Sequence, residues 1–528
     1  MYYISCRVRI CYRSYERSFR ARLAILPVQS WLAINIRATP HISPSTPLEN
    51  TAMEAIITLQ RFYIFCALAA LYVFIGRFIQ YWRLRQFKGP PTSGWSWWWH
   101  SRAVLSRALY WHYSNATDRY GPIARVAPNL LVTSDGDLWA RLNATRTAYY
   151  RGEWWYHCAR IEAGKDNVFT ECDNEKHDQR RKKLAFGYSG KDNFALESSI
   201  DVHIKELVHL ISSKYVTSSS GNEVTKPMDL AAKMQYFTLD VISHIGLGTP
   251  FGHLKTDQDV NGYLKSMEEG LWIATTIFGL GMNWLRNSPL GPSEKDQAGF
   301  GKMMAEARKI VEDRKAYNCW SIENYHVIHH EPSAGLHEAA GAEIDGAVKA
   351  GITAKNSEDI ISEFEARRLP YLSAVIREGM RIHPPVVCLF PRVAPPSGDV
   401  VQVSGKEYFI PGGTMIGYAS WAMHRTNKSV YGEDAETFRP ERWLLDQEVP
   451  EEKQRLSQMT KINDMIFGHG RWNCLGKSIA LLELHKTIFE LFKHFDFALA
   501  NPHQSLKAID SMGLWEIKDM NVIVTERQ

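Results

Sequence analysis

The ten residues Phe467-Gly468-His469-Gly470-Arg471-Trp472-Asn473-Cys474-Leu475-Gly476 constrain this 528-residue chain more than any other stretch. Glycines at 468 and 470 permit positive φ and close backbone approach, as a loop needs when it wraps a bound planar group. Gly476 leaves the next turn without a side chain. Beyond it Leu481, Leu484, Ile488, Leu491, Phe492 and Phe495 recur at three- and four-residue steps, the period of an amphipathic helix beginning near Cys474. A thiol at that helix N-terminus meets unpaired N–H groups and the positive end of the dipole. Both lower its proton affinity and make the thiolate a metal ligand.

The other cysteines, at 6, 11, 66, 158, 172, 319 and 388, form no regular framework and give Cys474 no CxxC partner. Structural zinc is therefore poorly supported, and the set fits thiols in a reducing compartment. The bland alternative, a buried free cysteine in a glycine-rich turn, leaves the rest of the pattern unexplained. Arg471 is placed to meet an anionic group. As a whole, F-G-x-G-R-x-x-C-x-G resembles the haem-binding signature of the cytochrome P450 family of haem-thiolate monooxygenases. The resemblance implies a mainly α fold with a small β subdomain and haem b as cofactor. It makes Cys474 the axial ligand of the haem iron, with Phe467, Arg471 and Gly476 around the haem and Arg471 on a propionate.

Two further motifs extend the resemblance. His177 and Arg181 lie four apart on one face of a basic helical segment, which would ordinarily be a solvated face; in the resembling family both positions reach the propionates. Arg392, in Phe390-Pro391-Arg392, matches another propionate position, with Val386, Val387, Cys388 and Leu389 facing either substrate or strand packing. Glu378 and Arg381 share a helix face at three-residue spacing. An exposed pair of that kind contributes little. The resemblance implies instead a buried pair completed by Arg442.

Residues 1–52 contain seven arginines, two glutamates and no lysine, and end in a proline-spaced run, which reads as an N-terminal extension or a start called too early. Met53 opens what looks like a membrane-anchor start. Ile56 to Ile79 is largely apolar, and Arg77, Arg83, Arg85 and Lys88 come at its end. Residues 53–82 therefore read as one transmembrane helix with the C-terminal remainder of the chain in the cytosol. Lys88-Gly89-Pro90-Pro91 stops the helix. Tryptophans 95, 97, 98 and 99 suit either a membrane interface or packing beneath the domain. Residues 83–528 then form the catalytic domain. Sequons at Asn115, Asn143 and Asn427 offer a topology test.

Helical stripes such as Ile200, His203, Ile204, Leu207, Leu210 and Ile211 are core faces, and the apolar run Leu271 to Leu280 lines a substrate cavity or packs. The resemblance requires next a long helix over the haem, with an acid and a Thr that deliver protons. Only polar, His-rich text stands at about 316–340. The closest match, Ala340-Gly341-Ala342-Glu343-Ile344, has Ile where Thr is needed, and its position fits the following helix better. His326, His329, His330 and His337 have helical spacing but no organising acid or cysteine, so a metal site there is poorly supported. In the second half, Val400 to Val403 with Tyr408 to Ile410, Met415 to Tyr418 and Val522 to Val524 read as strands of a small β region, and the Met512 to Trp515 turn could reach the pocket.

Hydrophobic content of 45%, with 23% charged residues, is ordinary for a globular chain, and a dispersed net charge of +5 does not argue for nucleic acid. The text is most similar to fungal, pisatin-demethylase-like members of the family. That implies a monooxygenase of specialised metabolism anchored in the endoplasmic reticulum membrane, acting on a lipophilic small molecule with O2 and an NADPH-cytochrome reductase. A haem-thiolate isomerase or dehydratase, or an impaired haem-binding remnant or faulty gene model, are the alternatives.

Overall fold

Helix α1, Pro47–Arg83, carries the span Ala55–Arg83, within which an 18-residue window has a mean hydropathy of 2.0 and is unburied. At about 1.5 Å per residue it is long enough to cross a hydrocarbon core of about 30 Å. The computed structural model describes residues 47–188, 196–216, 226–288, 291–315, 336–351, 359–503 and 507–527. It separates two units, Met1–Ile75 and Gly76–Gln528.

Within the second unit the end of α1 is gripped by one buried cation. The Arg125 guanidinium donates to the carbonyls of Gln80 (3.0 Å), Tyr81 (3.1 Å), Gly94 (3.1 Å) and Pro128 (2.7 Å). Gly89 passes so close that a Cβ there would lie 1.8 Å from the Arg125 carbonyl oxygen. Trp97 and Trp99 pack partly buried against the core, whereas Trp95 and Trp98 are exposed.

Helices α2 (Trp98–Leu105) and α3 (Leu109–Tyr120) lead into the hairpin β1 (Ile123–Ala127) and β2 (Leu130–Thr133). Helix α4 (Gly136–Asn143) and strand β3 (Tyr150–Arg151) follow. Both hairpin strands are buried throughout, so their text does not alternate apolar with polar; Arg125 and Thr133 are the polar residues in them, and both are buried. Strands β5 (Leu389–Val393) and β8 (Met415–Tyr418) complete a five-stranded sheet of order β1-β2-β8-β5-β3, while β6 (Asp399–Val403) and β7 (Lys406–Ile410) pair in a sheet of their own instead of joining Met415–Tyr418 in one β region. In that sheet β3 runs antiparallel to β5, with Arg151 opposite Arg392.

The helical body contains α5 (Asn174–Tyr188), α6 (Leu196–Lys214), β4 (Met228–Asp229), α7 (Leu230–Leu247), α8 (Tyr263–Gly279), α9 (Gly299–Lys315) and α10 (Leu336–Lys349). It continues with α11 (Pro370–Ile382), α12 (Pro450–Asn463) and α13 (Lys477–His494). The stripe on α6 is core as expected: Ile200, Ile204, Leu207, Leu210 and Ile211 pack with Phe237 and Val241 of α7 and Ile479 and Leu482 of α13. C-terminal strands β9 (Phe495–Leu499), β10 (Lys507–Ser511), β11 (Leu514–Lys518) and β12 (Asn521–Glu526) make two small sheets, β4-β12-β9 and β10-β11, apart from the five-stranded one. The segment 316–335, including His326, His329 and His330, lies outside the described residues; His337 falls in α10.

Candidate functional site

Helix α13 begins at Lys477, three residues after Cys474. The intervening Leu475-Gly476 turn sets the thiol just outside the helix mouth. The Cys474 N–H donates to the Phe467 carbonyl at 2.6 Å, closing the loop on itself. Gly468 and Gly470 have φ of +75° and +54°. A Cβ on Gly470 would come within 2.2 Å of the Asn143 carbonyl oxygen, so the loop is pressed against α4 where only glycine fits.

This loop forms one wall of a cavity of about 190 Å³. Cys474, Phe467 and Gly476 line it, together with His177, Arg181 and Arg392 from elsewhere in the chain. Leu239 and Ile242 of α7, Val168, Phe169 and Phe390 add apolar surface. The sequence motifs thus converge on one space, with an exception. Arg471 is not among the lining residues: its guanidinium donates to the Thr145 carbonyl (3.1 and 3.2 Å) and lies 3.7 Å from Asp178. The neighbouring side chain, Trp472, takes the cavity position because successive residues of the tight turn Gly470–Trp472 point in different directions.

The cavity is rich in buried cations and donors. His177 is buried, its Nδ1 3.0 Å from Asp178, while its Nε2 has no partner among the described residues. Burial, with Arg151 and Arg181 nearby against the opposing pull of Asp178, takes its pKa down to about 4, so the ring is neutral. An anion facing Nε2 would favour the imidazolium, in which both nitrogens donate. Arg181 donates to the Asn473 carbonyl (2.7 Å) and to its side-chain oxygen. Arg392, buried, donates to Asn143 Oδ1 (2.8 Å), to the Phe390 carbonyl (2.8 Å) and to the Tyr156 hydroxyl. A thiol in the wall, with donors that have no acceptor and cations that have no carboxylate partner among the described residues, suits an anionic cofactor such as haem.

Glu378 and Arg381 meet Arg442 some distance along the chain, and all three are fully enclosed. Arg381 makes a two-pronged contact to Glu378, Nε to Oε2 and Nη2 to Oε1, each at 2.8 Å. Arg442 Nε reaches Oε1 at 2.9 Å. Trp443 Nε1 (2.9 Å) and the Arg439 N–H (2.8 Å) also donate to this carboxylate. Remaining guanidinium donors go to backbone oxygens of His424, Thr437 and Tyr431.

Other expectations are redistributed. The Leu271 to Leu280 run does not line the cavity; Ala274 and Phe278 pack beside α2, and Trp272, Ile273 and Leu280 are exposed. Of Val386 to Leu389 only Val386 lines it, because the other three are held in strand packing. The turn after Ser511 is not in the cavity wall; it packs behind it, the Val387 N–H donating to the Gly513 carbonyl at 2.9 Å. Ala340 to Ile344 belongs to α10 and is absent from the cavity wall: Ile344 is buried beside Phe489, and Glu343 accepts from the N–H groups of Tyr371 (2.9 Å) and Leu372 (2.8 Å), capping α11. Asn143 is buried, its side-chain NH2 on the Trp139 carbonyl and its oxygen on Arg392, so this sequon is no acceptor site in the folded chain.

Sequence reasoning missed Arg151, Trp472, Trp139, Asn143 and Glu483, all of which line the cavity. Glu483 follows Cys474 by nine residues on the helix whose N-terminus the motif marks, so its position was readable although its exposure to a cavity was not. Enclosure by protein pushes its carboxyl up to about 8.

Comparison with known proteins gives the family. The family model described as Cytochrome P450 matches residues 338–522. The chain is 32% identical over 506 residues to "Cytochrome P450 monooxygenase ABA1" of Pyricularia oryzae, covering 87% of this chain and 96% of that protein. It is 31% identical over 493 residues to "Cytochrome P450 monooxygenase aba1" of Botryotinia fuckeliana, with coverage of 84% and 92%. It is 30% identical over 482 residues to "Cytochrome P450 monooxygenase abl1" of Leptosphaeria maculans, with coverage of 82% on both sides. In each case the aligned length exceeds the part of this chain that it covers, so the relatives carry residues for which this chain has none.

Proposed function

Because this chain belongs to the cytochrome P450 family of haem-containing monooxygenases, we propose that Cys474 is the axial thiolate ligand of haem b and that the enzyme oxidises a lipophilic small molecule of fungal specialised metabolism. One observation carries the reading: Cys474 lines the same buried cavity as His177, Arg181 and Arg392, which come from distant parts of the chain. When bound, the haem supplies oxygen activation, to which a thiolate ligand donates electron density. The chain's own part is to hold the sulfur in its loop, to present the cationic side chains to the propionates and to surround the reacting space with apolar side chains that exclude water. Phe467 and Gly476 shape the wall next to the ligand.

Helix α1 and the basic cluster after it support a single-pass anchor in the endoplasmic reticulum with residues 83–528 on the cytosolic side, where an NADPH-cytochrome reductase supplies electrons. The anchor is assigned to residues 53–82, and the text of residues 1–52 to an extension ahead of it or to a start called too early. The test is a reduced CO-difference spectrum of purified protein, in which a thiolate-type Soret band is expected. Cys474→Ser should abolish that band while the far-ultraviolet circular dichroism is kept. Absence of the band from well-folded wild-type protein would sink the assignment.

A second reading, haem binding without efficient oxygen activation, is favoured by α10: its Ala340 to Ile344 stretch packs on Phe489 and caps α11 instead of facing the cavity. It predicts a normal CO band together with NADPH consumption that yields no oxidised product.

A further inference from the structure

Buried charges on α13 find partners, and Glu483 is the exception. Lys486 lies 2.6 Å from both Glu197 and Asp201 of α6, while Glu490 accepts the Ile361 N–H at 2.8 Å and lies 3.3 Å from Lys493. Glu483 lines the cavity instead and, among the described residues, has no hydrogen-bond or ion-pair partner. Ile479 and Ala480, four and three residues before it, share its helix face, and Thr238, Leu239 and Ile242 of α7 wall the same cavity. The Thr238 hydroxyl is already donated within α7, to the carbonyls of Met234 (3.1 Å) and Gln235 (3.2 Å). The carboxyl is thus a lone polar group on an apolar stretch of wall.

The cations of the cavity do not answer it. Burial is the whole cause of the rise of its pKa to about 8, with no contribution from Arg151, Arg181 or Arg392. Positive groups and the acid therefore occupy separate parts of the wall. An enclosed carboxyl without a partner is costly to ionise, and a cation brought against it reverses that preference.

We propose that Glu483 is a specificity residue of the cavity, its carboxylate holding the cationic head of a lipophilic amine. This narrows the small-molecule reading above, on which it rests, to ligands with a positive group on an apolar body. At neutral pH the carboxyl must give up its proton to pair with such a head, so binding releases a proton to the buffer.

The test uses the full-length, haem-loaded protein at pH 7 and isothermal titration calorimetry. The probes are octyltrimethylammonium, which has no lone pair with which to ligate iron and brings no proton of its own, and nonan-1-ol, a neutral molecule of similar length. Wild type should bind the cation about tenfold or more tightly than the alcohol. Comparing heats in phosphate and in Tris should show close to one proton released per cation bound. Glu483→Gln should lose both the preference and the proton release, and Ile242→Trp, which fills the same part of the cavity, should weaken both probes alike. Equal affinity of wild type for the two probes overturns the proposal, as does a preference that survives in Glu483→Gln or binding indifferent to Ile242→Trp. An alcohol that binds more tightly than the cation and loses affinity in Glu483→Gln also overturns it, since the carboxyl would then serve a neutral ligand. Should Glu483→Gln not fold, Glu483→Asp keeps the charge and should keep the proton release with weaker binding. A wild type without the thiolate-type CO band defeats the haem reading; a normal band without cation preference defeats only this assignment.

Discussion

The buried charges around Glu378 and those around Arg151 and Arg392 differ in a way that separates structure from binding. Around Glu378 every charge is answered: one carboxylate takes donors from Arg381, Arg442, Trp443 and the Arg439 backbone, and spare guanidinium donors end on carbonyls. Around Arg151 and Arg392 the cations outnumber their answers, and buried nitrogens on Arg151, His177 and Trp472 stay unpaired among the described residues. A closed cluster specifies how segments pack, whereas an open one specifies what must come in.

The largest expected effect should come from breaking the closed cluster. Glu378→Gln leaves Arg381 enclosed with no counter-charge and Arg442 with only Asp434, 3.4 Å away, and should cost about 3 to 5 kcal/mol, read from urea unfolding. An effect under about 1 kcal/mol would mean that the cluster is hydrated and the contrast is false. The open cluster should respond in the opposite sense. Arg151→Met, which removes a like charge, should change the stability of the haem-free protein by less than about 1 kcal/mol. A loss as large as that of Glu378→Gln would make Arg151 a structural residue.

Glu483 gives the mildest test, through pH. Its carboxyl is protonated in both folded and unfolded chains below its usual 4.5, but the folded chain holds the proton up to about 8 because enclosure disfavours the charge. The associated stability is therefore present below pH 4.5 and is lost as pH rises toward 8. Glu483→Gln should flatten this part of the stability profile of the haem-free protein, measured by thermal melts across that window. An unchanged slope would show that the carboxylate is solvated through the cavity.

The site was legible wherever function is written in short spacing. The Cys474 loop, the helix after it and the Glu378 and Arg381 pair are all local, and Arg442 was legible only through its resemblance to a known motif. Arg471 was misdirected for a local reason as well: it and Trp472 are adjacent on a tight turn, and which of the two faces inward depends on how Gly470 seats against Asn143. Arg151 carried no signal, since a lone arginine in Tyr150-Arg151 acquires its meaning only opposite Arg392 in the sheet. The Leu271 to Leu280 run shows the converse, because apolar text cannot say whether it meets a cavity, a neighbouring helix or solvent.

By itself, then, the sequence determined the family through its resemblance to a known signature, and, from periodicity and residues a few positions apart, the thiol at a helix mouth, the apolar span of α1 and the helix faces that form the core. Only the tertiary structure decided which cations share the cavity, that Trp472 and not Arg471 faces it, and that Ala340 to Ile344 caps α11. Each of those depends on the pairing of segments distant in the chain. Their side chains face one another only once strands are in register and buried polar groups have found, or lacked, a partner.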